Sequence, residues 1–177
     1  MMKTAGQRLK ILLPILLVSI GLDRWTKIWA TEELYGQPTR SYLNDMFRLL
    51  YVENTGAFLS LGSGLSDQLR YWLLTLLPAL LLVGLLLYTL LHRDMLRPHV
   101  IAFSFILAGG LSNIYDRILE GSVVDFMNMG IGSLRTGIFN VADMSIMLGL
   151  FIMLPFLFTQ PKHEKASPEE EAANGHP

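Results

Sequence analysis

The sequence predicts an α-helical membrane protein with four transmembrane helices and a strand-bearing region between the first two. Three observations carry that prediction. Hydrophobic residues make up 51% of the 177 and charged residues only 16%, too apolar a balance for a typical soluble domain. Four apolar stretches each approach the ~20 residues that a bilayer core demands. The ionisable side chains gather between those stretches rather than alternating within them. A net charge of −1 offers a nucleic acid no footing. With no cysteine, disulfides and thiol catalysis are excluded, and the chain cannot itself be lipidated as a lipoprotein.

The first span is expected from Lys10 to about Trp29. Lys3, Arg8 and Lys10 ahead of the apolar run Ile11 to Leu22 resemble the start of a signal peptide. No small-x-small cleavage site follows, however, and the run continues into Asp23, Arg24 and Lys27, so a retained span is expected. Residues 30–68 are too long for a bare loop. Met46 to Glu53 reads as a strand, Asn54-Thr55-Gly56 as a turn, and Ala57 to Leu61 as a returning strand. Gly62 to Gly64 then loosens the chain.

The second span, Leu69 to Leu91, is Leu-rich, with Tyr71 and Trp72 marking an interface. Pro78 and Gly84 are tolerable in such a helix. The third span is expected over His99 to Leu119 and the fourth over Phe139 to Thr159. Residues 1–159 thus form one membrane domain. The tail 160–177 is polar, acidic and Pro-bearing, and is expected to be disordered.

Four spans place both termini and the 2–3 connection on one side, and the 1–2 and 3–4 connections on the other. Lys3, Arg8, Lys10, Arg93, Arg97, Lys162 and Lys165 all fall on the terminal side. The positive-inside rule makes that side cytoplasmic.

The opposite side collects the chemistry. Gly109, Asn113, Asp116 and Arg117 follow i, i+4, i+7, i+8 spacing along one helical face. Gly109 and Gly110 allow a neighbouring helix to approach closely. Taken alone, this is equally a packing face with an Asp116–Arg117 ion pair. Asp125 is the one charge in the apolar run VVDF, where desolvation disfavours ionisation. Asp143 follows Asn140 by three residues, as in a capping box at the start of the fourth span. A helix N-terminus favours a negative charge there. Two carboxylates that meet cannot both ionise easily, so they share a proton. One can then activate water while the other polarises a scissile carbonyl, with Asp143 assigned the base role.

These residues also carry a family likeness. DRWTK at 23–27, NTGAF at 54–58, GGLSNIYDR at 109–117, GSVVDF at 121–126 and FNVAD at 139–143 resemble the signature boxes of the lipoprotein signal peptidase (signal peptidase II) family, in its order and spacing. The resemblance implies four transmembrane helices with a small extracytoplasmic β-sheet and a short helix. It also implies an aspartic endopeptidase of the bacterial inner membrane, with both termini cytoplasmic and the active site near the outer leaflet. Such an enzyme cleaves diacylglyceryl-modified prolipoproteins before the lipidated cysteine. By this likeness Asp125 and Asp143 are the catalytic dyad. Asp23, Lys27, Asn54, Gly56, Asn113, Asp116, Arg117, Asn140 and Ala142 match orienting or substrate-contacting positions.

The partners implied are the lipidated prolipoprotein, membrane lipid and globomycin-type inhibitors, acting on a monomer. Arg24, Ser112 and Phe58 depart from the pattern, at Gln, Gly and Ala positions respectively. No cofactor is expected. His92, His99, His163 and His176 lack metal-ligand spacing, so no metal is expected either. The rival classes are a four-span proton-coupled transporter and an inactive scaffold. The first needs charges deep in the bilayer, whereas these cluster at one end. The second usually loses its dyad, and both aspartates are present.

Overall fold

A computed structural model describes residues 1–56, 64 and 66–158. The expected strand Ala57 to Leu61, which includes Phe58, and the tail 160–177 lie outside the described residues. Among the described residues, four helices and a four-stranded sheet make up the fold.

Helix α1 (Ala5–Leu34) opens on a capping box in which Thr4 Oγ1 accepts the Gln7 N–H and Gln7 Oε1 accepts the Thr4 N–H, each at 3.3 Å. Its 30 residues extend about 45 Å, well beyond the ~30 Å of a hydrocarbon core. The surplus past Trp29 is explained by packing: Ala30 and Leu34 are buried against Phe126 of the sheet. Helix α2 (Asp67–Leu91) contains a widened π-turn at Trp72–Leu76. Pro78, two residues on, has no N–H for the carbonyl four residues back and pushes that turn open. Helix α3 (Arg97–Glu120) stops at Gly121, whose φ of 71° is left-handed and needs a residue without Cβ strain. These three are long and apolar enough to cross a membrane, and α4 (Val141–Leu157) is a shorter apolar helix of 17 residues.

Strands β1 (Arg40–Tyr42), β2 (Phe47–Asn54), β3 (Val123–Ile131) and β4 (Leu134–Arg135) pair antiparallel in that order. The strand expected at Met46 to Glu53 is β2. Its partner β3 lies in what the sequence presents as a short connection between spans three and four.

The start of α1 and the end of α4 lie on one side, as span parity requires. The Met2 N–H bonds the Met95 carbonyl at 2.7 Å, and buried Arg8 donates to the carbonyls of Leu90 (2.7 Å) and Met2 (3.0 Å). His99 meets Phe156 edge-on at 4.7 Å, which brings the far end of α4 to the same side. At the other end sit the sheet, the ends of α1 and α3, and the start of α4. Gly109 lies directly beneath the Ala142 carbonyl, and a Cβ added at Gly110 would stand 2.6 Å from Leu82 of α2. The two glycines therefore seat α3 between α2 and α4.

Candidate active site

Two aspartates reach one cavity because β3 is tied to the chain entering α4. Val52 of β2 faces Asp125 across the sheet. On the other edge of β3, the Phe126 and Met127 N–H groups donate to the Phe139 carbonyl at 3.1 and 2.9 Å, and the Phe139 N–H returns to Met127 O at 2.8 Å. This pairing sets the next residue, Asn140, beside Asp125. Asn140 then caps α4: its Oδ1 accepts the Asp143 N–H at 2.9 Å, and Asp143 Oδ2 accepts the Asn140 N–H at 3.1 Å. The capping box foreseen from the i, i+3 spacing is present. The remaining Asn140 N–H2 donates to Asp125 Oδ1 at 2.6 Å and to Asn113 Oδ1 at 3.3 Å. One wholly buried asparagine therefore holds both carboxylates.

The other donors are equally placed. Asn54 donates to Asp125 Oδ2 at 2.8 Å while its own Oδ1 accepts the Gly56 N–H at 3.0 Å. Asn113 donates to Asp143 Oδ1 at 2.9 Å. Arg117 donates to the Gly56 carbonyl at 3.0 Å. Asn54, Asn113, Arg117, Asp125, Asn140 and Asp143 line a cavity of about 50 Å³, enough for a water molecule.

A buried ionic layer stands behind it. Lys27 donates to Asn113 Oδ1 at 2.9 Å and pairs with Asp23 and Asp116, each at 2.7 Å. Asp23 accepts the Ala142 N–H at 2.7 Å and the Ser112 hydroxyl at 2.6 Å, so α1 supplies a second cap to α4. Arg24 also pairs with Asp116. Two cations and two anions cancel, as buried charge requires. The Asp116–Arg117 ion pair considered from sequence is therefore corrected. Successive helical residues project about 100° apart, which turns Asp116 toward α1 and Arg117 toward the carboxylates.

Burial raises the Asp125 carboxyl to about 6, and the nearby Asp143 charge adds to that rise against hydrogen bonds from Asn54 and Asn140. The Arg117 guanidinium interacts with both carboxylate charges. Two adjoining carboxyls that share one proton carry a single negative charge between them, and the Arg117 side chain lines the same cavity. An ionised and a protonated carboxyl around a water-sized space can activate water and protonate the group it attacks.

All eleven expected site residues assemble here, in two layers. Sequence reasoning missed the roles of Ser112 and Arg24 in the ionic layer and the whole of β3. A signal for β3 was present: Gly132-Ser133 joins β3 to β4 through the Ile131–Leu134 pair, with Gly132 at φ 57°, a two-residue hairpin turn.

Residues 15–159 match the family described as Signal peptidase (SPase) II. The lipoprotein signal peptidase of Clostridium novyi (strain NT) is 33% identical over 149 residues, covering 84% of this chain and 97% of that protein. That of Bifidobacterium adolescentis is 32% identical over 175 residues, covering 95% and 86%. A solved bacterial membrane enzyme superposes with a TM-score of 0.74 at 22% identity, over 94% of this chain and 98% of its own, and so shares the fold.

Proposed function

The chain belongs to the signal peptidase II family, and from that premise we propose that it is an aspartic endopeptidase with Asp125 and Asp143 as its catalytic pair. Its substrate is a diacylglyceryl-modified prolipoprotein, cut before the lipidated cysteine. The observation that carries this reading is the Asn140 bridge, 2.6 Å to Asp125 and 3.1 Å to Asp143. It joins carboxylates from a strand and a helix terminus around a space for one water.

Asp143, at the α4 N-terminus where negative charge is favoured, takes a proton from water as it attacks the peptide carbonyl. Asp125 holds the proton that passes to the carbonyl oxygen. Asp143 then passes its proton to the leaving amine as the C–N bond breaks, and a hydroxyl of the collapsing tetrahedral intermediate returns its proton to Asp125, which restores the pair. The pair titrates as a unit, so its resting proton belongs to both members. Asn54, Asn113, Asn140 and Arg117 orient the carboxyls, Gly56 anchors Asn54 and Arg117, and Asp23, Lys27, Asp116 and Ala142 fix the frame behind them.

The basic residues Lys3, Arg8, Lys10, Arg93 and Arg97 at the opposite end favour cytoplasmic termini. The site then faces the outer leaflet, level with the substrate's lipid. Residues 1–159 form the catalytic unit and 160–177 a cytoplasmic tail, and the protein acts as a monomer open to globomycin-type inhibitors. The test is cleavage of a lipidated prolipoprotein in detergent by Asp125→Asn and Asp143→Asn separately. Loss of turnover in both, with folding retained, is expected; turnover retained by either removes that residue from the pair.

A further inference from the structure

Away from the aspartates, α1 and α3 leave an apolar groove of about 450 Å³ whose lining includes Ile20, Leu111, Tyr115 and Ile118, with Arg24 at one end. Arg24 also lines a second cavity, about 390 Å³, which carries Glu32, Glu53 and Glu120. The two spaces thus adjoin at one guanidinium. Glu53 pairs with Val124 across the sheet, whereas Asp125 is the next residue along β3. Successive strand residues point to opposite faces, so this cavity and the water-sized cavity between the aspartates lie on opposite sides of the sheet and share no lining residue, with Lys27 and Asp116 of the ionic layer lining the outer one.

The charges run in a definite order. Buried Asp23, Lys27 and Asp116 are balanced by Arg24, which pairs with Asp116 from the partly exposed edge of the layer. Glu32, Glu53 and Glu120 are in no ion pair among the described residues, leaving the outer cavity acidic. The Arg24 guanidinium lies 5.0 Å over the Tyr115 ring, and its five N–H donors exceed what Asp116 takes up. Beside it, exposed Trp25 and Ile28 are the residue types that face lipid at an interface. Apolar groove, then guanidinium, then carboxylates: the reverse complement is acyl chain, phosphate, ammonium.

We propose that the α1–α3 face binds one phosphatidylethanolamine molecule, with its chains in the groove, its phosphate on Arg24 and its ammonium among Glu32, Glu53 and Glu120. A primary ammonium offers three donors to these carboxylates, whereas a quaternary choline offers none. An anionic glycerol headgroup meets like charge. The site is independent of the proposed peptide-cleaving pair.

Native mass spectrometry of the full-length protein in detergent, with equimolar phosphatidylethanolamine, phosphatidylglycerol and phosphatidylcholine of identical chains, tests this. The ethanolamine lipid should be retained roughly tenfold over either competitor, the factor that one modest charge-assisted hydrogen bond sets. The E32Q/E53Q/E120Q variant should lose that preference while still cleaving prolipoprotein, and Ile118→Trp should lower retention of all three lipids by filling the groove. Equal retention by the wild type, a preference surviving in the triple variant, or displacement of the lipid by prolipoprotein would each overturn the proposal. A failure of Asp125→Asn to lose turnover would leave these outcomes unchanged, so the two readings fail separately.

Discussion

Replacing Asp125 with Asn should remove turnover and also change how stability depends on pH. The carboxyl ionises near 3.8 in an unfolded chain and at about 6 in the fold. Below both values each state holds the proton and the site contributes no pH dependence. Between them the unfolded chain releases its proton while the folded one keeps it, so stability falls as pH rises, and the loss is complete above about 6. At ~1.36 kcal/mol per pH unit the wild type loses about 3 kcal/mol in this way.

The amide introduced by Asp125→Asn cannot ionise and escapes that loss. It does sacrifice an acceptor, because both oxygens of the Asp125 carboxyl, protonated or not, can accept and so take the N–H donors of Asn54 (2.8 Å) and Asn140 (2.6 Å). Asn54 cannot simply flip, since its oxygen already accepts the Gly56 N–H at 3.0 Å. One buried amide then goes unsatisfied, at about 1–3 kcal/mol independent of pH. The variant should therefore be less stable than the wild type at pH 3.5 and level with it or above it at pH 8. For a protein of this size the relative shift is about 6–12 °C in Tm. Thermal unfolding of both proteins in one detergent at the two pH values measures it. A Tm difference that stays constant with pH, or one in which the variant loses ground as pH rises, would refute the argument.

Further outcomes follow from the same geometry. The kcat/KM for prolipoprotein should fall as pH rises through about 6, because Asp125 must carry its proton into the reaction; a profile flat from about pH 5 to 8 would remove it from the acid role. Lys27→Met should destabilise by about 3–5 kcal/mol, since Asp23 and Asp116 lose their shared buried cation; a Tm within about 2 °C of wild type would contradict this. Gly109→Ala sets a methyl against the Ala142 carbonyl and 2.8 Å from Ile146, costing about 1–3 kcal/mol and shifting the α4 cap, so turnover should drop along with Tm. A chelator should leave wild-type cleavage intact, and inhibition that added metal reverses would expose a metal requirement.

What could be read from the sequence alone rests on local periodicity. Four apolar runs set the helices and, by parity, put the polar motifs at one end. The Met46 to Glu53 pattern marked β2. The Asn140–Asp143 spacing marked a helix cap, because i, i+3 neighbours in a first turn meet whatever the rest of the chain does. Gly109 and Gly110 marked a close helix approach on the same local logic.

The tertiary structure decided what local spacing leaves open. VVDF became a central strand only because β2, 71 residues away at the Asn54–Asp125 contact, supplied its partner. Asp116 found Lys27 and Arg24 on α1 instead of adjacent Arg117, and Ser112 found Asp23 89 residues back. Charge identity says that a buried carboxylate needs a partner, but several cations satisfy that need equally well on paper. Which one does so depends on the side from which each helix faces its neighbour, and that is set by the packing of whole helices rather than by any short window of residues.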